Sequence, residues 1–179
     1  MKSKWYHPIF YALVFFAYIG AIFIIFPSPE EIAVKQVSEI VQIGQPTDKF
    51  DGLLSKIKKD IDQKNIEIKV LVGPYFRYMG IIGLLYDEFR PTYFILIDEE
   101  FYDELVWEEK EALVTHESGH ILYRYPRENS RAAITELQVL ADEFGAKFVH
   151  PKYLASLLKK VNSDYFIRVK HLERAARGQ

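Results

Sequence analysis

His116, Glu117 and His120, within the run HESGH, are the residues of this chain whose types and spacing can do chemistry. On an α-helix, positions i and i+4 lie one turn apart on the same face, so both imidazoles can reach a single metal ion. Glu117 follows His116 directly and is turned about 100° from it around the helix axis. From there it can take a proton from a water activated by the metal. Two neutral nitrogen ligands, a nearby carboxylate base and an open coordination position are the parts of a zinc-dependent hydrolytic site. The alternative is a surface helix carrying two solvated histidines and an ordinary glutamate.

Such a motif works only if other elements hold it. Trp107 to Thr115 reads as the opening turns of the helix that carries it, with Glu108, Glu109 and Glu111 where the helix N-terminus stabilises negative charge. Leu113 and Ile121 flank the motif with apolar surface for packing. Upstream, Ile66–Val72, Tyr78–Tyr86 and Tyr93–Asp98 read as strands rich in β-branched and aromatic residues. Gly80 and Gly83 interrupt the second. Before them, Ser28-Pro29-Glu30-Glu31 has the form of a helix start, with Gly44 as its stop. A further amphipathic helix from about Thr47 places Phe50, Leu53, Leu54, Ile57 and Ile61 on one face. Downstream, helices are expected at about 131–149, 152–161 and 165–176. The class is α+β, a small sheet with the HExxH helix and further helices.

The start of the chain reads differently. Pro8 to Phe26 is an uncharged apolar run, long enough at 1.5 Å per residue to cross the hydrocarbon of a bilayer. Trp5 and the tyrosines suit an interfacial position. A cleaved signal peptide would have a shorter apolar core and a small-residue cleavage site, and Phe26-Pro27 is a poor one. The reading is one N-terminal transmembrane helix within an anchor at 1–27, followed by a single domain at 28–179. Lys2 and Lys4 before the span place the N-terminus in the cytoplasm and the domain outside it.

Composition narrows the partners. With 23 basic against 25 acidic residues and a net charge of −2, the chain lacks the basic surplus of a nucleic-acid binder. With no cysteine, thiolate ligands and a cysteine nucleophile are excluded, so a Zn2+ ion must take histidine and oxygen donors. His7, His150 and His171 read as interfacial or exposed. Tyr123, Arg124 and Tyr125 follow the motif within reach of an oxyanion, but packing is the plainer reading of them.

The helix after the motif should deliver the rest of the site. It reads ELQVLADEFGAKFVHP from Glu136 to Pro151. With HESGH and the preceding FILIDEEFYDELVWEEKEALVT, it resembles the membrane-associated zinc peptidases of the HtpX and CAAX prenyl protease kind over about residues 66–160. The resemblance implies a zincin-like fold and a zinc endopeptidase activity. It also implies a glutamate ligand four residues before an aspartate. Ala141-Asp142 and Gly145-Ala146 match that pattern, but the glutamate position is Gln138. Three completions stand open: Asp142 coordinates, Gln138 coordinates through its amide oxygen, or the site is degenerate. Asp142 has a further reading, as the acceptor that orients His116. Glu136 and Glu143 fall on other helical faces and read as surface.

The function expected is a membrane-anchored zinc endopeptidase. Its substrates are protein or peptide segments near the membrane, and Glu117 is its base. The rival is a catalytically inactive pseudoprotease serving as a membrane-tethered binding module. Gln138 speaks for the rival, and the retained Glu117 speaks against it.

Overall fold

The computed structural model describes residues 38–61, 66–75, 82–87, 92–123, 131–161 and 166–178. The chain divides into two compact units, Met1–Ile40 and Val41–Gln179. The apolar run at Pro8–Phe26 lies outside the described residues. Among those described, no helix is long and apolar enough to cross a membrane. Residues 38–43 are helical and stop at Gly44, where the sequence places that end.

The second unit is α+β. Strand β1 (Gln45–Pro46) is followed by helix α1 (Asp51–Ile61) and strands β2 (Glu67–Gly73), β3 (Ile82–Asp87) and β4 (Thr92–Asp98). Then come helices α2 (Glu99–Glu104), α3 (Trp107–Leu122), α4 (Arg131–Gly145), α5 (Pro151–Val161) and α6 (Phe166–Gly178). The sheet order is β1-β2-β4-β3. β4 runs parallel to β2 and antiparallel to β3, and β1 adds one short antiparallel rung beside β2. The three strands read from the sequence therefore exist, with β4 rather than β3 in the middle. A central strand is covered on both faces, which is why YFILID is apolar nearly without alternation. All of β4 is buried except the half-buried Tyr93.

α1 lays Leu54, Ile57 and Ile61 into the core, the 3-4 stripe its sequence carries. Phe50, just before it, stacks on Trp107 at the start of α3, ring centroids 5.2 Å apart and 7° from parallel. Such a pair adds about 0.5–1.5 kcal/mol beyond area burial. α2 is an element the pattern does not announce, because six residues span too little of the helical period. Its start is nonetheless written in the sequence: the Asp98 carboxylate accepts from the Glu100 amide at 3.2 Å, an N-cap ahead of two acidic residues.

α3, which carries HESGH, is the core helix. Every residue from Ala112 to Ile121 is buried except Glu117. A helix buried nearly all round must satisfy its own polar side chains. Thr115 donates to the Ala112 carbonyl at 2.9 Å, and Ser118 donates to the Val114 carbonyl at 2.7 Å.

Its N-terminus is fixed by a buried carboxylate. Glu109 Oε2 accepts from the Val106 amide at 3.1 Å, the reciprocal half of a capping box. The same oxygen accepts from Lys160 Nζ at 2.6 Å, and Oε1 accepts from Ser156 at 2.6 Å. Lys160 also donates to the Glu104 carbonyl at 3.0 Å, so one ammonium ties α2, α3 and α5 together. Burial by itself raises the Glu109 carboxyl. The hydrogen bonds from Lys160, Ser156 and Val106, with the Lys160 charge, outweigh that and hold it below its ordinary value.

A carboxyl depressed in the folded state stabilises the fold above its unfolded pKa and loses that contribution as pH falls through the folded one. Glu109→Ala is expected to cost about 2 kcal/mol at neutral pH, a cap and a buried partner being lost together. It should also flatten the fall in stability between about pH 5 and pH 2. Urea denaturation of both proteins across that range checks the difference, and parallel pH profiles would contradict it.

Candidate metal centre

α3 and α4 pack antiparallel, as the facing pairs show: His120 with Gln138, Gly119 with Ala141, His116 with Asp142, and Thr115 with Gly145. The approach is set at Gly119. A Cβ there would stand 2.8 Å from the Ala141 Cα and 3.1 Å from the Ala141 carbonyl oxygen. Both are backbone atoms of α4, which cannot swing aside. The missing side chain lets two helices meet close enough for residues of α4 to reach the histidines.

The motif then forms as its spacing predicts. One ligand atom each from His116, Glu117 and His120 lie within 4.8 Å of one another. The two imidazoles face each other at 4.9 Å between centroids, their planes 89° apart. Both histidines are buried, whereas Glu117 is the residue of the central α3 segment that keeps partial access. Burial lowers the His120 imidazole to about 4, helped by the charges of His116 and Arg168 and opposed by Asp142. It is therefore neutral at physiological pH, the state in which a ring nitrogen can ligate a metal. Burial raises the Glu117 carboxyl, against the opposing charges of His116 and Arg168.

The two candidates for completing the site fall in different places. Gln138 Nε2 lies 3.3 Å from His120 Nε2, so the side-chain amide stands against the second histidine. Asp142 lies beside His116 instead: its Oδ1 is 2.9 Å from His116 Nδ1. Both Asp142 oxygens also accept from Arg168, Oδ2 from Nε at 2.7 Å and Oδ1 from a terminal nitrogen at 2.8 Å. Asp142 is 1% exposed. Burial would raise such a carboxyl, but the Arg168 and His116 hydrogen bonds and charges keep it below its ordinary value. Glu136 and Glu143 are exposed, as are His150 and His171. Tyr123 caps α3 through its backbone, donating to the Gly119 carbonyl at 2.9 Å. Arg124 and Tyr125 lie outside the described residues.

Arg168 is the site residue that sequence reasoning misses. It lies on α6 and is 6% exposed. Its signal was available: with Val169 and Leu172 it forms the buried face of α6, an arginine within an apolar stripe. A buried guanidinium needs a partner. Which partner is set by packing 26 residues away in sequence.

A cavity of about 180 Å³ opens beside these groups. His116, Glu117, Gln138 and Asp142 border it, and its apolar wall is Ile82 of β3 with Leu154, Leu157 and Val161 of α5. A larger open cleft of about 660 Å³ between α1 and β2 contains no histidine, and of its mixed charges Lys69 and Glu67 pair with each other at 3.2 Å. Of the two, the smaller cavity is the one bordered by His116 and Glu117. Compared with known proteins, the chain matches no family model, no curated protein and no solved structure.

The donor set fits a zinc ion: two buried imidazoles, one neutral at physiological pH, with a carboxylate and an amide at hand. The fit depends on the helix contact. Alanine is the better helix former by about 1 kcal/mol, so on propensity alone Gly119→Ala would stabilise α3. The collision with the Ala141 backbone reverses the sign, because overpacking of a rigid contact costs about 1–3 kcal/mol. Gly119→Ala is therefore expected to lower the denaturation midpoint, read by urea titration. An unchanged midpoint would show that the helices do not meet there.

Proposed function

We propose that this chain is a zinc-dependent endopeptidase of zincin-like build, resembling the HtpX and CAAX prenyl protease kind and tethered to a membrane by its apolar N-terminal run. One observation carries the reading. His116, Glu117 and His120 converge to within 4.8 Å, His116 and Glu117 border a cavity, and Glu117 alone of the central α3 residues retains access to its surroundings.

Zinc at this site would be held by His116 and His120, with Gln138 able to offer its amide oxygen once the amide turns its nitrogen away from His120 Nε2, and would supply a Lewis acid that activates water and polarises a peptide carbonyl. Glu117 accepts the proton of the attacking water and returns it to the departing amine. Its raised carboxyl pKa suits a group that must both take and give a proton. Asp142 serves the site through His116 rather than as a ligand in this reading. Its Oδ1, 2.9 Å from Nδ1, would accept from that nitrogen and so leave Nε2 for the ion.

The substrate side is supported by the sheet. Among the described residues β3 has a neighbouring strand on one side only, and its first residue, Ile82, walls the cavity. An extended peptide can add to such an edge through main-chain hydrogen bonds and bring its backbone past Glu117. An anchored enzyme of this kind cuts protein segments near the bilayer, and Lys2 and Lys4 ahead of the run speak for a domain outside the cytoplasm.

The second reading, an inactive tethered binding module, rests on Gln138, a neutral donor where the resemblance implies a carboxylate. Metal binding and cleavage by the full-length chain decide between them. The wild type is expected to bind zinc with about 1:1 stoichiometry, and His116→Ala to lose it. Glu117→Gln should keep the metal while casein cleavage falls by about 100-fold or more. A folded wild type that takes up no zinc, or cleaves no better than Glu117→Gln, would favour the module. Gln138→Glu, which restores an anionic donor, is expected to slow zinc loss to a chelator. Faster loss would remove Gln138 from the site.

A further inference from the structure

We propose that Arg168 is a positioning residue of this site, gripping Asp142 so that His116 is held in a single orientation and tautomer. The proposal rests on the metal-centre reading above and assigns a role to the C-terminal helix within it.

The geometry is a continuous buried chain across three helices. Arg168 on α6 donates through Nε to Asp142 Oδ2 at 2.7 Å and through a terminal nitrogen to Oδ1 at 2.8 Å. Asp142 on α4 meets His116 Nδ1 on α3 at 2.9 Å through that same Oδ1. The side chains of Arg168, Asp142 and His116 are 6%, 2% and 10% exposed. A carboxylate held at one oxygen can still rotate about its Cβ–Cγ bond, whereas a two-point guanidinium fork fixes its plane. With that plane fixed, Oδ1 stays 2.9 Å from His116 Nδ1, in position to accept once the ring turns its N–H into line. Under the proposal the ring carries its proton on Nδ1, which leaves Nε2 as the nitrogen offered to a metal. A lysine cannot reproduce this, because one ammonium is a point donor without the planar fork.

This arrangement separates the residues that present the chemistry from the one that fixes their aim. Arg168 does not belong to the His116, Glu117 and His120 group. It acts through Asp142, so its effect should vanish once Asp142 can no longer transmit it.

The test uses the full-length protein with 15N-labelled histidine, read first without metal and then by zinc titration against a competing chelator. In the wild type the His116 ring nitrogens should show one Nδ1–H tautomer, and in R168M a mixture. Zinc affinity in R168M should fall by about 10- to 100-fold, the usual effect of losing a group that orients a ligand. R168K should show a smaller but measurable loss. In a D142N background, adding R168M should change affinity by no more than about twofold, since coupled residues are non-additive. A wild-type tautomer and affinity in folded R168M would overturn the assignment, as would a loss that adds in full to that of D142N. If R168M does not fold, R168K decides, and wild-type behaviour in it overturns the proposal equally. Absence of zinc binding by the wild type would instead remove the metal-centre reading. The metal-free tautomer comparison would still judge the grip of Arg168 on His116.

Discussion

Two helices in backbone contact are the constraint on which the candidate site depends. Where Gly119 faces Ala141 there is no room for a methyl group. That separation lets side chains from α4 be short and still reach α3. Asp142 touches His116, and Gln138 reaches His120, one turn further along the contact. Gly145 repeats the device one turn from Asp142, where an added Cβ would stand 3.1 Å from Thr115 Oγ1. Glycine weakens a helix, so its presence near the C-terminal end of α3 and at the end of α4 trades local propensity for proximity.

Proximity in a buried interface carries an electrostatic cost, and the surrounding residues show how it is met. Buried polar groups persist when they are hydrogen-bonded. Thr115 and Ser118 turn back onto their own helix. Glu109 is held by Ser156, Lys160 and the Val106 amide. Asp142 is held by Arg168 and His116. Polar contacts therefore fix α3 at its N-terminus through α5 and at its centre through α4 and α6. Glu117 is the exception on this helix, half-buried at a cavity bordered on one side by apolar residues of α5 and β3. A carboxylate placed between a dry wall and an opening is suited to exchanging protons.

Most of the helices were readable because their information is local. An amphipathic stripe such as Leu54, Ile57 and Ile61 declares both the element and the face it buries, and the observed bounds of α1, α3, α5 and α6 lie within a few residues of the expected ones. α4 ends at Gly145 rather than running to about residue 149, the chain closing there with turns at 146–148. Gly145 is the residue that packs against Thr115 and Leu154, so tertiary contact marks that end. α2 escaped notice because it is shorter than two turns. The sheet order also lay beyond the pattern, since apolar alternation marks a strand without naming its neighbours.

By itself, the sequence determined the donor types and their helical spacing: two imidazoles one turn apart with a carboxylate between them, and no thiol to compete. It also determined that the residue four before Asp142 is a neutral amide. Only the tertiary structure decided that Asp142 lies against His116, that Gln138 stands against His120, and that Arg168 belongs with them. Spacing along one helix fixes relative direction within a turn, which is a local property of the backbone. The meeting of residues 116, 142 and 168 depends on how three helices pack, and no local period encodes that.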